Sequence, residues 1–282
     1  ISVATFAQKD QIKAAEKALK AGKSDEAKTI LLDAESVITN ATEAEKAQYY
    51  FVKGNVMLDL ANKSVDKDAN LSLAAGAFQE LIEVEKASGK SKYTAQATKS
   101  VMDIKYKLIN EAIADSKSDK HEVAAKKLYD AYLLDKKDTI NLYYAASTYV
   151  NSRNYDAALK NYDELKKLNY SGKGTNYFAV NKLTSQEDMY LTAAERDRMI
   201  KLGTHEKPRT EVIPSKRGEI YKNVALILVQ QGKSKEAQQA NSKRLKEQFF
   251  PTSDISSVSQ ILFKIANSDH PLNQVAKHLM KY

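Results

Sequence analysis

The chain has 282 residues, with 44 Lys and Arg against 36 Asp and Glu and a net charge of +8. It contains no Cys, which excludes disulfides and catalysis by a thiol, and no run of 18 or more apolar residues predicts a membrane-spanning helix. Four Pro and nine Gly leave few helix-breaking positions, so the composition favours an all-α protein.

Residues 1–7 form an apolar segment that ends in small side chains at Thr5 and Ala7 and is followed by polar Gln8. This pattern is typical of the end of a secretory signal peptide, with Ala7 directly before the cleavage site. We therefore expect a signal-peptide remnant here and export of the protein to the periplasm or cell surface. The alternatives are a short apolar lead-in that packs on the first helix and a cytoplasmic location, since a cytosolic chain can also lack Cys.

Residues 105–138 and 139–172 are two consecutive copies of one 34-residue pattern. Small residues at positions 8 and 20 of this pattern are expected where two antiparallel helices touch. Aligning the copies superimposes apolar and small residues, with Leu108 on Leu142, Ala112 on Ala146 and Ala124 on Ala158. The period and spacing resemble the tetratricopeptide repeat, a helix–turn–helix unit.

The same pattern recurs in three more places, starting at Gln8, around Ala47 and at Gly218. In the unit around Ala47, Gly54 occupies the small position of the first helix, and the second helix follows only after about eight extra residues, 62–69. The small positions of the other two units are all occupied by alanine, at Ala15, Ala27, Ala225 and Ala237.

The resemblance covers about three-quarters of the chain and implies a right-handed helical solenoid of about five degenerate helix pairs. It divides the chain into repeats 1–4 at residues 8–172, an insertion at 173–217, repeat 5 at 218–251 and a C-terminal helical cap at 252–282. Glu111 and Asp115, at apolar positions of the third repeat, depart from the pattern. Exported repeat proteins of Gram-negative bacteria are similar in layout, with insertions between their repeats.

The insertion has a pattern of its own. Two apolar segments, 177–180 and 189–191, flank a polar stretch, which favours a β-hairpin. Residues 192–202 predict a helix, and 204–215, which contain two prolines, predict an extended connection. In the C-terminal cap we expect two helices, over residues 254–266 and 272–281.

The sequence offers little support for catalysis or metal binding. Its four histidines include no pair at metal-ligand spacing and no H-E-x-x-H pattern. No nucleophile elbow or phosphate-binding loop is present, and paired acids such as Asp25 and Glu26 lie on expected turns or exposed helix faces. We therefore predict a non-enzymatic protein with no catalytic residue, no metal and no cofactor.

In tetratricopeptide repeats, positions 2, 5, 9 and 12 of the first helix line a concave groove, so the resemblance implies which side chains face a partner. We predict a scaffold that binds a partner protein or peptide through this groove. Tyr143 is expected to be exposed there, unless residues 177–191 fold back and fill the groove. The predicted groove residues of the last three repeats are Ile109, Ile113, Ile140, Tyr143, Ser147, Val150, Lys222, Leu226 and Val229. The Lys and Asn pair with which one subgroup holds the carboxylate of chaperone tails is missing from every unit.

The positive charge is concentrated in the second half of the chain. Residues 1–140 contain 22 basic and 22 acidic residues, whereas residues 141–282 contain 22 basic and 14 acidic ones. A basic half attracts acidic partners, so one alternative function is a binding module for anionic glycans or envelope polymers, with Lys216, Arg217 and Lys222 as its basic surface. Another is an accessory subunit of an enzyme or secretion complex. Nucleic-acid binding is not expected, because Lys dominates over Arg and no nucleic-acid module is recognisable.

Overall fold

The computed structural model describes residues 3–36, 38–233, 235–237, 239–240 and 242–243, with side chains from Lys9 onward. The chain forms two compact units, Ile1–Ala145 and Ala146–Tyr282. The described part is mostly helical and contains one three-stranded sheet. The helical prediction is confirmed at this level, and the sheet lies within the stretch predicted as an insertion.

In the first unit, the helices follow one another along the chain, and each of α1 to α5 contacts the next helix. Short turns at residues 21–23, 63–66 and 118–120 separate the two helices of each predicted pair. The helices are α1 (Val3–Lys20), α2 (Ser24–Glu35), α3 (Glu43–Asn62), α4 (Lys67–Ser88), α5 (Thr94–Lys117) and α6 (His121–Leu134), with a 3₁₀ turn at Ile38–Asn40. Helix α7 (Thr139–Asn151) runs across the boundary between the two units.

Local sequence signals determine several helix ends. Helix α3 begins with a capping box, in which the Thr42 hydroxyl accepts the Glu45 N–H and the Glu45 carboxylate accepts the Thr42 N–H. Helix α4 ends at Gly89, whose φ of +67° is a left-handed conformation that side chains disfavour. The carboxylate of Glu85 then accepts the N–H groups of Tyr93 and Thr94, which fixes the start of α5.

The small residues of the repeat pattern lie in the core. Each alanine at position 8 or 20 is buried: Ala15, Ala27, Ala112, Ala124, Ala146, Ala158, Ala225 and Ala237. Gly54 shows why small residues are needed, because a Cβ placed on it would lie 2.6 Å from Cε1 of the Phe78 ring. Helices α3 and α4 therefore approach each other more closely at this point than any larger side chain permits.

Two helices are longer than the repeat pattern predicts. Helix α5 begins at Thr94 instead of near residue 105, where the third repeat was predicted to start. The expected extra residues at 62–69 are also mostly helical, since only residues 63–66 separate α3 from α4. The extra residues at 62–69 therefore lengthen α3 and α4 and leave only a four-residue turn between these two helices.

The second unit combines helices with the sheet. Its further elements are α8 (Tyr155–Lys167), β1 (Gly174–Asn181), β2 (Glu187–Tyr190), α9 (Ala193–Lys201), β3 (His205–Ile213) and α10 (Arg217–Gln230). Helix α8 contacts α10. The helices predicted at residues 254–266 and 272–281 lie outside the described residues.

The sheet has the strand order β2-β1-β3, and both pairs are antiparallel. The predicted hairpin is confirmed, with Tyr177 opposite Tyr190 and Phe178 opposite Met189. The segment expected to be an extended connection is instead a third strand, β3, paired with the other edge of β1. Helix α9 contacts all three strands, and it begins with a capping box at Thr192.

Candidate functional site

Helix α5 has one packed face and one open apolar face. Val101, Ile104, Leu108 and Ala112 are buried, as expected for a helix that contacts α4 and α6. Beside this packed face, Tyr106 and Ile113 are 55% and 49% exposed, and the half-buried Met102 and Ile109 complete an i, i+4, i+7, i+11 row. We call Met102, Tyr106, Ile109 and Ile113 the α5 stripe. It includes two of the predicted groove residues, Ile109 and Ile113.

Helix α10 in the second unit also has one buried face and one exposed face. Ile220, Val224 and Ile227 are buried, whereas Lys222, Leu226 and Val229 are exposed. These three residues are spaced i, i+4 and i+7 and therefore lie on one face of the helix. They are the groove positions that the repeat pattern predicts for the fifth unit.

Helix α7 departs from the prediction. Ile140 is exposed, but Tyr143 is only 4% exposed, so the prediction that Tyr143 is exposed is wrong. The neighbouring Tyr144 is the exposed aromatic residue, with its ring 5.5 Å from that of Tyr143. Every residue of α7 from Leu142 to Ser147 is apolar or small, so this stretch carries no polar face that would identify the exposed side.

The two remaining groove residues of α7, Ser147 and Val150, are partly buried. Ser147 hydrogen-bonds to the Tyr162 hydroxyl, which also accepts a bond of 2.9 Å from the amide of Asn223. Burial raises the pKa of Tyr162 to about 12. Ser147 therefore contributes to the interior of the second unit.

A cluster of charges explains why Glu111 and Asp115 occupy apolar positions. Lys127 Nζ lies 3.2 Å from Glu111 and 2.8 Å from Asp115, and Lys67 Nζ lies 2.6 Å from Glu111. Burial opposes ionisation of Glu111, but the hydrogen bonds from Lys67 and Lys127 outweigh it and hold the pKa of Glu111 below its usual value. The cluster therefore joins α4, α5 and α6 through ion pairs.

A second buried lysine joins α5 to the loop before α7. Lys105 Nζ lies 2.8 Å from Asp135 and 3.0 Å from Asp138, and Asn141 donates a hydrogen bond to Asp138. Burial disfavours the charge on Lys105, yet the two carboxylates outweigh this effect and raise its pKa. This cluster therefore stabilises the first unit.

The sheet holds a buried histidine that the sequence did not reveal as important. His205 Nε2 lies 2.8 Å from Asp188 Oδ2, and its Nδ1 lies 2.9 Å from the Thr204 hydroxyl. The hydrogen bonds from His205 and Asn181 lower the pKa of Asp188. The Thr204 hydroxyl can donate to the Met199 carbonyl at 3.0 Å, so this group ties β2, α9 and β3 together. His205 and Asp188 are 17 positions apart in the sequence, and only the pairing of the strands brings them together.

Two of the three residues of the predicted basic surface, Lys216 and Arg217, form ion pairs or hydrogen bonds within the chain. Arg217 donates to the carbonyl of Asn169 at 2.9 Å and to that of Tyr170 at 3.3 Å, and Lys216 pairs with Glu219 at 3.4 Å. Arg217 therefore holds the two ends of the insertion together. Lys222 is exposed on α10.

No protein-family model matches the chain, and no curated protein matches it. Within the described residues, no group of His, Asp or Glu is arranged to hold a metal ion. None of the described helices is both long and apolar enough to cross a membrane.

Proposed function

We propose that this chain is a non-enzymatic scaffold of degenerate tetratricopeptide-like helix pairs, stacked as a right-handed solenoid. Three observations support this architecture: the 34-residue period, the burial of alanine at positions 8 and 20, and the close approach at Gly54. The breaks between helices follow the period too, because α6 begins at His121 and α8 begins 34 residues later at Tyr155.

The function is binding of a partner protein through the α5 stripe. The observation that carries this proposal is the exposure of Tyr106 and Ile113 on a helix whose adjoining face is packed in the core. A contiguous apolar row on the surface of a soluble fold is typical of an interaction site. The partner segment is an amphipathic helix or an extended peptide with apolar side chains at matching spacing, since such segments dock into apolar grooves through a few anchors.

The exposed face of α10 supplies the same kind of row in the second unit. Leu226 and Val229 are its apolar members and Lys222 adds one charge. A partner segment that binds here needs an acidic residue beside its apolar anchors. The α10 row and the α5 stripe therefore select different partner segments, because the α5 stripe has no charged member.

A crosslinking experiment in the native host tests the proposal. A photoreactive phenylalanine analogue replaces Tyr106 in one variant and Leu32 in another. Leu32 is a matched control because it is exposed to nearly the same extent, on α2. The proposal predicts a discrete crosslinked partner from position 106 that is not formed from position 32.

The partner found in this way is then tested directly. Its crosslinked segment, as a synthetic peptide, should bind the full chain, and Ile113→Glu should weaken this binding by about tenfold or more, since it places a charge in an apolar contact. Leu32→Glu should leave the affinity unchanged. Equal losses in the two variants would exclude the α5 stripe as the binding site.

We also propose that the protein is exported. The support is the sequence pattern of residues 1–7, which resembles the end of a signal peptide. Intact-mass measurement of the protein purified from its native host should give a mature chain that begins at Gln8. A mature chain that retains Ile1–Ala7 would contradict this proposal.

A further inference from the structure

We use the term sheet tip for the end of the sheet where strand β1 terminates. Strand β1 ends there at Asn181, β2 begins there at Glu187, and β3 begins there at His205. Helix α9 starts after the far end of β2 and finishes at Lys201, so its C-terminus also lies at the sheet tip. The sheet tip therefore consists of residues 182–186 and 198–207.

Two leucines project from the sheet tip into solvent. Leu183 is 93% exposed and Leu202 is 65% exposed. The two segments that carry them are neighbours, because the Lys182 N–H donates to the Thr204 carbonyl at 3.0 Å. Exposed leucines on two neighbouring segments at the end of a sheet make no contribution to the core and are typical of an interaction site.

The turn that carries Leu183 is fixed by its own hydrogen bonds. The Asn181 side chain accepts the N–H groups of Leu183 and Thr184 at 3.0 and 3.4 Å. The Asn181 N–H also donates to the Gln186 carbonyl at 2.8 Å. None of these bonds uses the Leu183 side chain, so the backbone holds Leu183 outward before any partner is bound.

Positive charge surrounds the two leucines. Lys182, Arg198 and Lys201 are exposed, and none of them forms an ion pair with the residues that the structure describes. Lys207 is also exposed and has only Glu206 beside it, at 3.6 Å. The two acids at the start of β2 are paired, Glu187 with Arg209 and Asp188 with His205, so the sheet tip is cationic.

We propose that the sheet tip docks onto a lipid bilayer with anionic headgroups. Leucines that enter the interface combined with lysines that reach the phosphates are the two components of peripheral membrane binding. An acidic protein surface would match the lysines, but it would leave no apolar phase for two leucines that stand on separate loops. This surface is distinct from the α5 stripe and its role does not depend on the scaffold function.

Vesicle sedimentation tests the inference with the full chain. The probes are vesicles of pure phosphatidylcholine and vesicles with roughly one-third phosphatidylglycerol, whose charge attracts basic residues. We expect binding to the anionic vesicles that weakens as salt is added, since exposed charges are screened. Leu183→Glu and Leu202→Glu should each reduce this binding by about tenfold or more, because each places a charge where an apolar side chain would enter the bilayer.

Leu191 provides the matched control. It is 80% exposed in the same insertion, but it follows the far end of β2, so Leu191→Glu should bind anionic vesicles as the wild type does. Circular dichroism of each variant should match the wild type, since the exposed leucines do not support the fold. Absence of wild-type binding to anionic vesicles, or equal loss from Leu183→Glu and Leu191→Glu, would overturn the inference.

Discussion

Replacing Gly54 with Ala adds one methyl group at the closest approach of α3 and α4. Its Cβ would lie 2.6, 2.7 and 2.8 Å from the Cε1, Cδ1 and Cζ atoms of Phe78. The Phe78 side chain is fully buried, so the ring cannot move aside into solvent. The new methyl group must therefore displace the ring or push the two helices apart.

Two opposing effects determine the change in stability. Ala is favoured over Gly in a helix interior by about 1 kcal/mol. Overpacking a well-packed core costs about 1–3 kcal/mol. The free energy of unfolding should therefore fall by up to about 2 kcal/mol for Gly54→Ala, although the substitution improves helix propensity.

Gly76→Ala is the matched control on the neighbouring helix. Gly76 lies inside α4, and a Cβ placed on it meets no other atom within 4 Å. Only the gain in helix propensity remains, so this variant should be more stable than the wild type by about 1 kcal/mol. Equilibrium urea unfolding, followed by circular dichroism, measures both changes. Equal stabilisation by the two substitutions would show that the helices do not touch at Gly54.

Three further predictions follow from burial and charge. Ala158→Leu should lower the free energy of unfolding by about 1–3 kcal/mol, because Ala158 is fully buried at position 20 of its unit; a melting temperature equal to that of the wild type would reject the repeat register in α8. Tyr143→Ala should cost about 3 kcal/mol or more in urea unfolding, as for other buried aromatic residues; a negligible change would place this ring at the surface after all. The pKa of Glu111 is lowered in the folded state, so its contribution to stability is complete above its usual value of 4.5 and is lost as the pH falls through the lowered value. Unfolding measured between neutral and acid pH should lose part of its acid dependence in Glu111→Gln, and an acid limb identical to that of the wild type would argue against the ion pairs.

The helices and the hairpin could be predicted because local patterns determine them. Periodic apolar residues specified most of the helices, and the helix predicted at residues 192–202 corresponds to α9. The two apolar segments that flank the polar stretch, 177–180 and 189–191, specified the β1–β2 pair. In each of these cases the signal lies within a few residues of the element that it determines.

Strand β3 could not be recognised from the sequence because it is an edge strand. Its segment contains Pro208, and all its residues from Glu206 to Val212 are exposed, so the apolar alternation of a half-buried strand is missing. Lys207, next to the irregular register, has a φ of +50°. Proline is tolerated at sheet edges and bulges, so only the pairing with β1 reveals the strand.

The candidate site was predicted in part. Ile113, Leu226 and Val229 are exposed as the repeat positions imply, because one helix face must remain outside when the other is packed. Tyr143 is buried, and since residues 142–147 of α7 are all apolar or small, the period alone does not define the exposed face of this helix. The ion pairs of Lys127 depend on contacts between α4, α5 and α6, which a sequence pattern cannot supply.

Photocrosslinking from the α5 stripe in the native host tests the scaffold function most directly. With the photoreactive group in place of Tyr106, the proposed function predicts one discrete crosslinked partner, which disappears when Ile113→Glu is added to the same chain. With the group in place of Leu32, the same partner should not be captured. A crosslinking pattern that is the same from both positions and is unaffected by Ile113→Glu would contradict binding through the α5 stripe.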